Sequence, residues 1–138
     1  MKLDLGTLRR LALAGCGLTF GVIALLAVAF PHAVANAYGF TLDRVEGMNE
    51  FRAIFTGFWL ALAFAMITAA RRPELPVLGD LCATMILFQA LGRTLSLVLD
   101  GRPNIVFVGA LVGEALTALA ILAIGVVQKR QRSHPSTA

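Results

Sequence analysis

Four apolar runs, each of helical length, decide what this chain can fold into. The first extends from Leu11 to Phe30 without a charge and stops at Pro31, which cannot continue a helix without losing a backbone donor. The second covers Ala53 to Ala70, between Arg52 and the pair Arg71-Arg72. The third runs from Val77 to Leu99, interrupted only by Asp80, Gln89 and Arg93, and the fourth from Ile105 to Val127, with Glu114 near its middle. About 20 apolar residues cross a bilayer as a helix, whereas a membrane strand needs only about 9 to 11 and alternates. The pattern predicts an all-α fold, an integral membrane antiparallel four-helix bundle with spans at about 11–30, 50–70, 77–99 and 105–127.

A soluble domain carries about 25% charged residues. This chain of 138 residues has 14%, against 58% hydrophobic, and a mean hydropathy of +0.80. Four spans use it up, so one membrane domain over 1–138 is expected, with 128–138 as a polar cytoplasmic tail. The net charge of +4 has a use other than nucleic acid. Lys2, Arg9, Arg10, Arg71, Arg72, Lys129, Arg130 and Arg132 all fall on one side of such a bundle, eight of the twelve basic residues. The positive-inside rule makes that side cytoplasmic and both termini with it. A secretory signal over 1–37 is the competing reading, since Ala33-Val34-Ala35 and Ala35-Asn36-Ala37 imitate cleavage sites. A signal core is about 7 to 15 residues, and the first run is longer, which favours an uncleaved span.

No cofactor is expected from motifs: there is no zinc spacing, phosphate loop or nucleophile elbow. Cys16 and Cys82 read as small packing residues, and His134 lies in a polar tail. The first loop, Pro31 to Asn49, is too apolar for a free linker. A short interfacial helix or cap over the outer mouth suits it, with Tyr38 at headgroup level and Asp43, Arg44 and Glu46 wet. Helices associate in lipid through small residues. Rows of these occur at Gly17-xxx-Gly21, at Ala53, Gly57, Ala61 and Ala65, at Gly92-xxx-Ser96, and at Gly109-xxx-Gly113.

The third run carries Gln89, Arg93, Ser96 and Asp100 at intervals of four, three and four, hence on one face. Arg93 lies about 10 Å in from Asp100, and Glu114 about 15 Å in from Asn104, at 1.5 Å per residue. An arginine at a helix centre costs about 2.5 to 3.5 kcal/mol, so Arg93 is expected to pair with Glu114, Asp100 or both. Asn49, Arg52, Thr56 and Trp59 make a similar face on the second helix, with Glu50 beside it. Two arginines and three carboxylates are thus expected to converge on the outer half. They form either a register-setting ion-pair network or a pocket in which Arg93 or Arg52 holds an anionic or carbonyl group.

Asn49-Glu50-Phe51-Arg52-Ala53-Ile54 with Gly57, then Gly92-Arg93-xx-Ser96-xxx-Asp100-Gly101-x-Pro103, then Glu114, resemble the bacterial four-helix membrane proteins grouped as domain of unknown function 4345, and more distantly the DoxX-type proteins. Members of the former often have an aromatic hydroxyl and a glycine where this chain has Phe55 and Thr56. The resemblance implies a helical fold and the inner membrane, and no activity.

Two functions follow in order. One is binding of a lipid, a quinone-like molecule or another hydrophobic or anionic small molecule in the outer-half pocket. The other is a structural or accessory subunit of a larger membrane complex, or a homo-oligomer. An enzyme using Glu114 or Glu50 as general base ranks last, because a neighbouring cation weakens a carboxylate as a base. In a cysteine-free background, an impermeant maleimide should label a cysteine placed at Val45 or Asn104 and miss one at Pro73 or Ser133. Outside labelling at Pro73 reverses the orientation.

Overall fold

The computed structural model describes residues 4–133, and these are helical throughout apart from short connections. The five helices are α1 (Leu5–Ala29), α2 (Pro31–Ala37), α3 (Val45–Arg71), α4 (Pro76–Leu99) and α5 (Ile105–Ser133). All but α2 are long and apolar enough to cross a membrane. Within α3 the stretch Arg52–Phe58 is π-helical.

The helix ends follow from local chemistry. Asp4 caps α1: its carboxylate accepts from the Thr7 amide at 2.8 Å and the Thr7 hydroxyl at 3.1 Å. The amide bond in particular holds the Asp4 carboxyl below its ordinary pKa. Pro31 and Pro76 stand in the first turns of α2 and α4, where a missing N–H costs nothing. Gly101 has φ +93 in the connection after α4, a conformation open to a residue without Cβ. Asn104 then caps α5, its Oδ1 accepting from the Phe107 amide at 3.2 Å.

Helix α1 lies along α3 and α4 along α5, with α1 also touching α5. Small side chains make the closest approaches: Ala24, Ala83 and Ala118 are fully buried, around Leu13, Met66 and Ile121. Of the glycine rows, that of α1 closes on a neighbour. A Cβ at Gly17 would stand 3.0 Å from Ile67 Cγ1 and 3.1 Å from the Ala63 carbonyl oxygen. Ala63 belongs to a face of α3 other than the Ala53-Gly57-Ala61-Ala65 row, whose Ala53, Gly57 and Ala61 are exposed. Gly92, Gly109 and Gly113 have nothing within 4 Å of a built Cβ. The spacing of small residues is the same whether a row meets a helix or faces outward, and this is why the sequence expectation of four meeting rows overshoots.

Where α1 and α4 begin and α3 and α5 finish, charge enters the packing. Helix α1 starts six residues before its apolar run, so Arg9 lies in the second turn and is only 7% exposed. Its guanidinium pairs with Asp80 and donates to the Pro76 carbonyl at 3.1 Å, while Lys129 Nζ meets the other Asp80 oxygen at 2.8 Å. Glycines make the room: a Cβ on Gly125 would be 2.8 Å from Asp80 Oδ1, and one on Gly79 3.0 Å from Arg9 Nη2. The sequence placed Arg9 in a basic flank; in the structure Asp80, near the start of α4, joins it to Lys129 and so links three helices. The polar tail also begins as helix, α5 continuing through Ser133, and His134 lies outside the described residues.

The first loop holds a short helix, α2, as expected, and Asp43, Arg44 and Glu46 are exposed. Tyr38 turns inward instead, its ring 5.2 Å from Phe55 and 5.5 Å from Phe107.

Gly17→Ala should lower stability by about 1 to 3 kcal/mol through overpacking against a backbone carbonyl. Gly109→Ala should leave stability unchanged or raise it by up to about 1 kcal/mol through helix propensity. Thermal unfolding of the two variants in one detergent checks the contrast.

Candidate functional site

The face Gln89-Arg93-Ser96-Asp100 of α4 divides in two. Arg93 and Gln89 reach across to Glu114 on α5. Arg93 Nε donates to Glu114 Oε2 at 2.9 Å, Arg93 Nη2 to Oε1 at 3.2 Å, and Gln89 Nε2 to the same Oε1 at 2.8 Å. Both partners are largely covered, with side chains 16% and 12% exposed. Such a fork combines charge with geometric specificity. Ser96 and Asp100 stay at the exposed end of α4, where the serine hydroxyl donates to Asp100 at 2.8 Å. Asp100 therefore serves its own helix end, and Glu114 alone answers Arg93.

Asn49, Glu50 and Arg52 do not join this group. All three are exposed on α3, and their side chains make no hydrogen bond or ion pair among the described residues. The cause lies in the π-helical stretch that starts at Arg52. A wider turn accommodates an extra residue, and at 3.6 residues per turn one extra residue rotates the two flanking segments by about 100° relative to each other. Arg52 and Trp59 consequently leave the common face that uniform helical spacing gives them: Trp59 is 4% exposed and Arg52 is in the open. The Thr56 hydroxyl, inside the π stretch, is buried without a partner.

What α3 does bring to the site is aromatic. Phe51 and Phe55 stack at 4.6 Å, Phe55 and Trp59 are also 4.6 Å apart, and Tyr38, Phe40 and Phe107 close on them edge to face. The Arg93 guanidinium carbon stands 5.0 Å over the Phe107 ring, within the range of cation–π attraction. Burial pushes the Tyr38 phenol above its ordinary pKa; the Arg93 charge opposes this and the Glu114 charge adds to it. The i, i+4 spacing of Phe51, Phe55 and Trp59 was the available sequence signal for this cluster.

Between the aromatics of α3 and the polar face of α4 lies a cavity of about 520 Å³, inside the roughly 300 to 1,000 Å³ typical of small-molecule sites. Ile54, Phe55, Phe58, Trp59 and Phe107 wall it, and Gln89, Arg93 and Ser96 supply its polar lining. Gly92 leaves part of the wall open. Arg93 has five N–H donors, and two of them serve Glu114. Those that remain belong to a side chain lining the cavity. No group of three or more His, Cys, Asp or Glu among the described residues is placed to hold a metal.

Fold and site together define a multi-pass helical membrane protein with an aromatic-walled, arginine-bearing open cavity. Residues 8–125 match the family described as domain of unknown function (DUF4345), and the chain belongs to that family. No curated protein and no solved structure matches it.

Replacing Glu114 by Leu should destabilise the protein by about 3 to 5 kcal/mol, because it strands a buried guanidinium. Arg93→Met combined with Glu114→Leu should recover most of that loss. A double-mutant cycle on unfolding in detergent measures the coupling, and a coupling near zero contradicts the pair.

Proposed function

We propose that the four long helices form an antiparallel bundle in a bacterial inner membrane, with both termini in the cytoplasm. In this reading the cavity at the outer half binds a small amphipathic molecule. The observation that carries it is an apolar-walled space of about 520 Å³ onto which a charge-compensated arginine opens. Because Glu114 already neutralises Arg93, the head group that fits best is a neutral acceptor such as a ring carbonyl, ester or amide. A second full anion would leave one negative charge uncompensated in a low-dielectric site, which is costly. The aromatic walls suit a flat ring or a short chain. Asn49, Glu50, Arg52 and Asp100, all exposed, fit the mouth or the outer surface better than the binding face.

Trp59, the one tryptophan of the chain, lines the cavity and reports on it. A short-chain benzoquinone should quench its fluorescence saturably, and an alkanoate of similar size should displace the quinone poorly. Gly92→Phe, which fills the cavity wall without touching the ion pair, should abolish the saturable component. Linear, unsaturable quenching that Gly92→Phe leaves unchanged overturns the reading.

A structural or accessory role is favoured by a different observation. The Gly109-xxx-Gly113 row of α5 faces outward among exposed Val112 and Leu116, a surface of the kind that lets two helices approach closely. In that role Gly113→Leu should shift the protein to a smaller species on detergent gel filtration.

A further inference from the structure

The opposite end of the molecule holds a second pocket, of about 160 Å³, bounded by the start of α1, the end of α3, the connection Arg72–Leu75, the start of α4 and Gln128 of α5. Three arginines line it: Arg9, Arg10 and Arg72. Their states differ. Arg9 is buried and already paired with Asp80, although its Nε has no partner. Arg10 spends its Nε on the Ala70 carbonyl at 3.0 Å, which fixes the side chain and leaves its terminal nitrogens without a hydrogen bond or ion pair among the described residues. Arg72 is exposed and its side chain makes neither among the described residues. The terminal nitrogens of Arg10 and the whole guanidinium of Arg72 therefore border the pocket without a hydrogen-bonded carboxylate among the described residues, Arg10 sensing the charge of Asp4 only through space.

The surroundings reinforce that sign. Helix α4 begins here at Pro76 without a side-chain cap, so its positive dipole end adds to the field. The nearby carboxylates are engaged or outside the lining: Asp80 is held by Arg9 and Lys129, Asp4 by Thr7, and Glu74 is exposed in the connection. Size restricts the occupant. About 150 Å³ accommodates a molecule as large as benzene, so the pocket takes a compact anion and excludes an acyl chain. Exposed Leu5, Leu8, Leu75 and Val77 flank it on α1 and at the start of α4, offering a lipid-facing path along which chains attached to such an anion can lie.

We propose that this pocket binds a phosphate group, held by Arg10 and Arg72 with Arg9 behind them, and that its source is the headgroup of an anionic phospholipid. Basic pockets between membrane helices are a recurrent form of headgroup recognition. The site is separate from the aromatic cavity and stands whether or not that cavity binds anything.

The test uses the full chain in dodecylmaltoside, with dioleoylphosphatidylglycerol, dioleoylphosphatidylcholine and inorganic phosphate as probes at matched ionic strength. Native mass spectrometry should find the glycerol lipid retained in preference to the choline lipid. Arg72→Gln, which sacrifices no hydrogen bond or ion pair in the described structure, should weaken that retention about fivefold, the factor one interfacial arginine is worth. Thermal unfolding supplies the second readout, with the glycerol lipid raising the midpoint of the wild type more than that of the variant. Stabilisation by inorganic phosphate that depends on Arg72 supports the same pocket with free phosphate as its source. Equal retention of the two lipids by the wild type, with no phosphate effect, overturns the proposal. So does a preference for the glycerol lipid that survives Arg72→Gln undiminished.

Discussion

Hydrocarbon offers a charge no water to fall back on, and the arrangement of this protein depends on that. A charged side chain within a span is tolerated when another side chain of the protein answers it, and each answer fixes two helices relative to each other. Among the described residues, Arg93 with Glu114, and Asp80 with Arg9 and Lys129, are places where this occurs. Elsewhere the helices meet through an apolar core in which alanines, permitting close approach, alternate with larger residues such as Leu13, Phe20, Trp59, Met66 and Ile121. Packing density and orientation thus come from different residues. The small side chains set how near the helices come, and the charged ones set which faces meet.

The same constraint explains what could be read in advance. The four long helices were legible because run length in a membrane protein is nearly a direct record of span length. The Arg93–Glu114 pair was legible because two residues of opposite charge at similar depth on adjacent spans have few other solutions. The Arg9–Asp80–Lys129 cluster was not. Arg9 and Arg10 are neighbours on a helix, about 100° apart in direction, and nothing in the string says which turns inward. Arg9 does, and it is buried; Arg10, exposed, reaches only the Ala70 carbonyl.

On α3 the difficulty was of another kind. Asn49, Arg52, Thr56 and Trp59 share a face only if the turn is uniform, and Arg52–Phe58 departs from uniformity without proline or a paired glycine to announce it. One widened turn removes Arg52 from the site and brings the Phe51-Phe55-Trp59 ladder in its place. The chemistry expected of that wall changes accordingly, from a cluster of ionised groups to a set of aromatic faces beside one compensated arginine. Stretches of π-helix are frequent at functional sites, and here the stretch lies where the cavity wall needs ring surface rather than charge.

Helix α4 carries its negative charge near its start and its positive charge well along it, while α5 carries the complementary signs in the reverse order. The two contacts are thirteen residues apart on α4 and fifteen on α5, about 20 Å along either helix. Slipping one helix past the other by a single turn would break both contacts together, so the pair has one register. It also bears on how the chain enters a bilayer. Either helix alone would arrive with unanswered charge, whereas the two, joined by the short connection after Asp100, can neutralise each other as they cross. The hairpin, and not the single span, is then the natural unit of insertion for the second half of this protein.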